Sequence, residues 1–156
     1  MLTYGHFWGL YQRLKQGASA LVLTCCETGL KSEKLFTHNC VVLQNLGGCA
    51  HFLEAAEISL AVHRARRMSE LLDVVALTHE GCAFRQGASP VEHAHAQLLW
   101  LSRHPMLTQA HFHCCHVDRR GQLWVGDLER RQLVSPLSLT RVSESHPVEG
   151  DLPLFS

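Results

Sequence analysis

Apolar and polar positions along the chain divide it into a regular series of elements. Residues 20–24 (Ala-Leu-Val-Leu-Thr), 40–43 (Cys-Val-Val-Leu) and 73–78 (Asp-Val-Val-Ala-Leu-Thr) are short, nearly continuous apolar runs rich in valine and leucine. That is the pattern of strands covered on both faces of a parallel sheet. Residues 7–16 predict a short amphipathic helix with Phe7, Leu10, Tyr11 and Leu14 on one stripe, ended by Gly17. A longer helix is expected from near Cys49 to about Met68, after Gly47-Gly48 turns the backbone. Between 55 and 62 its only polar residues are Glu57 and Ser59, so cover is expected on both sides, the sheet on one and a second protomer on the other. Ser89 and Pro90 read as the cap and first turn of another helix, which Pro105 stops. Residues 109–117 and 122–126 read as strands joined by an Asp118-Arg119-Arg120-Gly121 turn. The expected fold is α/β, a mostly parallel β-sheet flanked by helices.

Composition adds limits. The 156 residues, 46% of them apolar, suit one domain, set here at 1–132 with a tail at 133–156. Leu152, Leu154 and Phe155 near the end of that tail should dock, since exposing them forfeits burial. Net charge is zero, and the Arg pairs at 66/67, 119/120 and 130/131 are scattered, so neither nucleic acid nor membrane is an expected partner. No apolar run approaches the ~20 residues of a membrane span, and the first residues lack the basic segment of a secretory signal. A cytoplasmic protein is expected. Seven cysteines without a scaffold-like spacing point to reduced thiols and a metal site rather than a disulfide framework; Cys26, Cys40 and Cys49 read as small buried hydrophobes.

The candidate chemistry follows from where two strands end. Cys25 closes one apolar run, and His79-Glu80-Gly81-Cys82 follows another. Open parallel sheets gather ligands beyond the carboxyl ends of their strands. Two thiolates and one imidazole suit zinc, with a fourth position for water or a further side chain. The bland alternative is a buried thiol and an ordinary loop histidine. Glu80 is expected to face solvent. His93 and His95 should point away from each other on their helix. His111, His113 and Cys115 share one face of a strand, but a straight row spaces them too widely for one tetrahedral centre.

Three segments in order carry a resemblance: Leu23-Thr24-Cys25-Cys26-Glu27-Thr28-Gly29-Leu30, then Gln44-Asn45-Leu46-Gly47-Gly48, then Leu77-Thr78-His79-Glu80-Gly81-Cys82. They resemble the β-class carbonic anhydrases, which read Cys-x-Asp-x-Arg, Arg-Asn-x-Gly-Gly and His-x-x-Cys-Gly. The similarity continues through residues 113–118 and 121–123. The resemblance implies Zn2+ on Cys25, His79 and Cys82. In the family the aspartate accepts a hydrogen bond from the zinc-bound water, and the arginine holds that carboxylate off the metal. Here these positions are Glu27 and Gly29, with Gln44 and Ala83 as further departures. Glu27 is then an acid/base group or a fourth zinc ligand, and Arg85 is the candidate to replace the lost arginine. Two readings remain open. One is a lyase (carbonate dehydratase) hydrating CO2, with bicarbonate as product, or acting on a similar small electrophile. The other is a non-catalytic zinc homologue with a structural or partner-binding role. The resemblance also implies a homodimer or higher even oligomer.

Overall fold

The computed structural model describes residues 5, 7–17, 19–27, 40–66, 72–85, 87–127 and 130–135. Six strands form one sheet in the order β2-β1-β3-β4-β5-β6. These are β1 (Ala20–Cys25), β2 (Cys40–Asn45), β3 (Asp73–His79), β4 (His111–Val117), β5 (Leu123–Asp127) and β6 (Gln132–Val134). The first four are parallel, and β5 and β6 return antiparallel. The Asp118 turn makes the β4–β5 connection: Asp118 Oδ1 accepts from the backbone of Arg120 and Gln122, and Oδ2 from the Trp124 indole. The segment read as tail from Leu133 begins as part of β6, and 136–156, with the apolar end expected to dock, lie outside the described residues.

Strand alternation assigns each face a cover. Leu21 and Leu23 of β1, Val74 and Ala76 of β3, and Phe112 of β4 pack with α2 (Ala55–Arg66) and α3 (Pro90–Ser102). Their neighbours Ala20, Val22, Val75, Leu77 and Cys115 pack with Phe7, Leu10 and Leu14 of α1 (Phe7–Lys15). Burial on both sides accounts for the lack of polar alternation in β1 and β3. Gly17, at φ +93°, ends α1. Ser89 Oγ accepts from Glu92 N at the start of α3, as the cap signal predicted.

Two expectations need correction. The second helix begins at Ala55, not near Cys49, because Cys49 and Leu53 are extended and short 3-10 turns occupy Leu46–Gly48 and Ala50–Phe52. The Asn45 side chain holds Cys49 in that conformation from both sides, donating to its carbonyl (2.8 Å) and accepting from its N–H (2.7 Å). Cys26 is exposed rather than buried, and Cys40 is only partly covered. Cys26 follows the last residue of β1, where cover from the helices has ended.

At the amino ends of β3 and β4 lies a buried charge network. Arg13 of α1 donates two hydrogen bonds to Asp73 (2.7 and 2.6 Å), and His113 Nε2–H donates a third (2.8 Å). His113 Nε2 is thus taken by Asp73. Among the described residues the site at the opposite strand ends is the one cluster of three or more histidine, cysteine or acidic groups able to hold a metal.

Candidate metal centre

Cys25 ends β1 beside its parallel neighbour Asn45 on β2. From Asn45 the chain turns back over the end of β1 through Gly47 and Gly48, both with positive φ. A Cβ on Gly48 would sit 3.0 Å from the Thr24 carbonyl carbon, so only glycine lets the turn press this close. The approach aims Gly47 N–H at Cys25 Sγ (3.2 Å). Two contacts from α3 hold the turn: His93 Nε2 lies 2.8 Å from Gly47 O, and the Gln97 side chain accepts from Ala50 N (2.6 Å).

His79 ends β3. Its Nδ1–H donates to Glu80 O (3.0 Å), which fixes the tautomer and leaves the Nε2 lone pair free. Nε2 is buried without a hydrogen-bond partner. The following loop is anchored at its start by Glu80 N to Val117 O (2.9 Å) and by the exposed Glu80 carboxylate, which accepts from Arg119 N (2.8 Å). Past Gly81, Cys82 Sγ lies 3.9 Å from Cys25 Sγ. Glu27 enters from the other side. Its Oε1 accepts from Ala83 N (3.0 Å), while Oε2 stands 3.4 Å from His79 Nε2.

One donor atom from each of Cys25, Glu27, His79 and Cys82 lies within 4.8 Å of the other three. Zinc bond lengths of about 2.3 Å to sulfur and 2.0–2.2 Å to nitrogen and oxygen give tetrahedron edges of about 3.8 Å for S···S and about 3.4 Å for N···O. The observed 3.9 Å and 3.4 Å match both. A buried imidazole nitrogen turned inward that makes no hydrogen bond completes the case that these residues fit zinc. Burial and then the neighbouring Cys25 and Glu27 charges push the Cys82 thiol above its ordinary range, and a divalent cation would reverse that preference.

The structure therefore brings Cys25, His79 and Cys82 together and adds Glu27 to them. Arg85 makes no ion pair with Glu27 among the described residues, and its Nε is buried without an acceptor. Burial and then the Arg85 charge push His116 down to about 4; His116 Nδ1 meets the Thr78 hydroxyl at 2.8 Å. Burial likewise lowers His93, with Arg85 a smaller cause. Gly29 lies outside the described residues. Sequence reasoning missed the Ala83 N–H that holds Glu27 and the His93 brace on Gly47, since both are contacts across the fold without a local pattern.

No protein-family model and no curated protein sequence matches the chain. Solved structures do. The β-carbonic anhydrase CcaA superposes with a TM-score of 0.60 at 13% identity, over 83% of this chain and 83% of that one. A carbonic anhydrase from Streptococcus mutans superposes with a TM-score of 0.58 at 11% identity, over 81% of this chain and 100% of that one. The chain has the α/β fold of the β-carbonic anhydrases, with four metal-capable donors gathered at the carboxyl ends of its central strands.

Proposed function

We propose that this chain is a zinc protein of β-carbonic-anhydrase fold whose fourth coordination position is filled by Glu27, a resting state closed to water and substrate. Zinc, when bound, supplies Lewis acidity, but four protein donors leave no open position, which is the mark of a structural centre. The observation that carries this reading is the placement of Glu27: one carboxylate oxygen taken by Ala83 N–H, the other an N···O tetrahedron edge from His79 Nε2. The role is then stabilisation of the loop over the strand ends, and a surface for partners. Exposed Phe52, Leu60, Leu99 and Trp100 on the helical layer support self-association as a homodimer or higher even oligomer. Seven free cysteines support a reducing, cytoplasmic setting.

A second reading, a carbonate dehydratase acting on CO2 or a similar small electrophile, is favoured by one feature. The Glu27 side chain is 25% exposed, and a single backbone N–H tethers it besides the metal set. Its departure would admit solvent to a site held by Cys25, His79 and Cys82. Cobalt substitution with azide titration separates the two readings. The wild-type visible spectrum should ignore azide and the Glu27→Ala spectrum should shift, while wild-type CO2 hydration in stopped flow stays at the buffer background. An azide-responsive wild-type centre with brisk hydration would overturn the closed-site reading.

A further inference from the structure

The two thiols of the site differ in their surroundings. Cys25 is 2% exposed at the end of a strand buried on both faces, and Gly47 N–H fixes its sulfur. Cys82 is only partly covered, on a loop whose neighbours Gly81, Ala83 and Phe84 are exposed. Beyond Glu80 that loop is tied by short-range bonds and by Phe84, which packs against the Gly47 turn. Among the described residues the backbone from Gly81 to Arg85 bonds through Arg85 N to Cys82 O (3.5 Å), Ala88 N to Arg85 O (3.1 Å), the Phe84 N–H to the Cys82 sulfur, and Ala83 N to Glu27, itself part of the donor set. The Cys82 sulfur is therefore positioned by its own loop, whereas the Cys25 sulfur is positioned by the sheet and the Gly47 turn. A third thiol, Cys49, is buried beside the Gly47 turn, its sulfur 3.2 Å from where a Gly47 Cβ would stand and near enough for the Cys25 charge to act on it.

We propose that Cys25 and Cys82 form a peroxide-sensitive pair, which on oxidation closes to a disulfide and releases the metal. This rests on the metal reading above. The sulfurs stand 3.9 Å apart, so closure to an S–S bond requires an approach of about 1.9 Å, a displacement for the partly exposed Cys82 loop to supply while Cys25 stays fixed at the buried end of β1. The partly exposed Cys82 thiolate attacks hydrogen peroxide, breaking its O–O bond, to give a sulfenic acid and hydroxide. The Cys25 thiolate then attacks that sulfur and displaces a second hydroxide. Two electrons pass from the sulfur pair to the peroxide, and two thiolates plus hydrogen peroxide become one disulfide plus two hydroxides. The step removes half of the donor set, so zinc leaves as the aqueous ion. A dithiol reductant with zinc restores the centre.

The test treats zinc-loaded full-length protein with equimolar hydrogen peroxide, follows released zinc with a chromogenic chelator, and maps disulfides by mass spectrometry without reduction. Zinc should appear one-for-one with a Cys25–Cys82 linked peptide, reverse with dithiothreitol, and behave alike in Cys49→Ser. Retained zinc, a Cys25–Cys49 or Cys26 linkage, or oxidation that stops at sulfinic acid would overturn the inference. Protein that neither carries nor takes up zinc would overturn the metal reading and the release step together, while the peptide map would still report whether Cys25 and Cys82 pair.

Discussion

Asp73→Asn probes the charge network that joins α1 to the sheet. The Asp73 side chain is 2% exposed and accepts from Arg13 twice and from His113 once. The substitution keeps shape but leaves the Arg13 guanidinium, 23% exposed, without its counter-charge. Breaking a buried pair this way costs about 3–5 kcal/mol, and the partial exposure of Arg13 places the expectation near about 3. Burial alone would raise the Asp73 carboxyl; bonds from His113 and Arg13 outweigh it and hold it below its ordinary value. Because the folded pKa is depressed, this stability is present above about pH 4 and is lost as pH falls through the folded value. Burial also lowers His113, which adds stability present above about pH 6.5 and lost on acidification, so both groups act with the same sign. The assay is urea unfolding of zinc-loaded protein at pH 7, in a double-mutant cycle with Arg13→Leu. Asp73 stands six residues before His79, about 20 Å along the strand, so zinc content should not change. A loss below about 1 kcal/mol, or no coupling to Arg13, would refute the reasoning.

Three further outcomes are expected. Cys25→Ser and Cys82→Ser should each lose most bound zinc by metal analysis, and full content in both would exclude the thiolate pair as ligands. Gly48→Ala forces a side chain into φ +60° against the end of β1, so thermal unfolding should report a loss of about 1–3 kcal/mol and equilibrium dialysis a weaker zinc affinity. Leu60→Glu with Trp100→Glu should reduce the mass measured by light scattering if the apolar helical face mediates self-association; unchanged oligomer mass would move the interface elsewhere.

Much of this molecule was legible in the residues, for a local reason. β1 and β3 are buried on both faces, so their apolar runs are uninterrupted, and Ser89-Pro90 and Gly17 mark helix ends through chemistry confined to a few positions. What stayed hidden depends on contacts across the fold. The phase of α2 is one case: Ile58, Ala61, Val62 and Ala65 face the core, while the equally apolar Leu60 is exposed, and a run of alanines and leucine gave no polar face to reveal it. Asn45 delaying that helix is another. At the candidate metal centre, the ends of two apolar runs together with the three-segment resemblance singled out Cys25, His79 and Cys82, whose donor atoms lie within 4.8 Å of one another, and the longer glutamate suggested a fourth ligand. The Ala83 N–H that positions Glu27, and the separation of Arg85 from it, required the folded chain.

The central claim is tested most directly by a crystal structure of the protein as purified, with anomalous data collected at the zinc edge. The account predicts one zinc per chain, bound by Cys25 Sγ, Cys82 Sγ, His79 Nε2 and a Glu27 carboxylate oxygen. No zinc at these residues, or zinc bound by Cys25, His79 and Cys82 with water in the fourth position and Glu27 turned away, would contradict it.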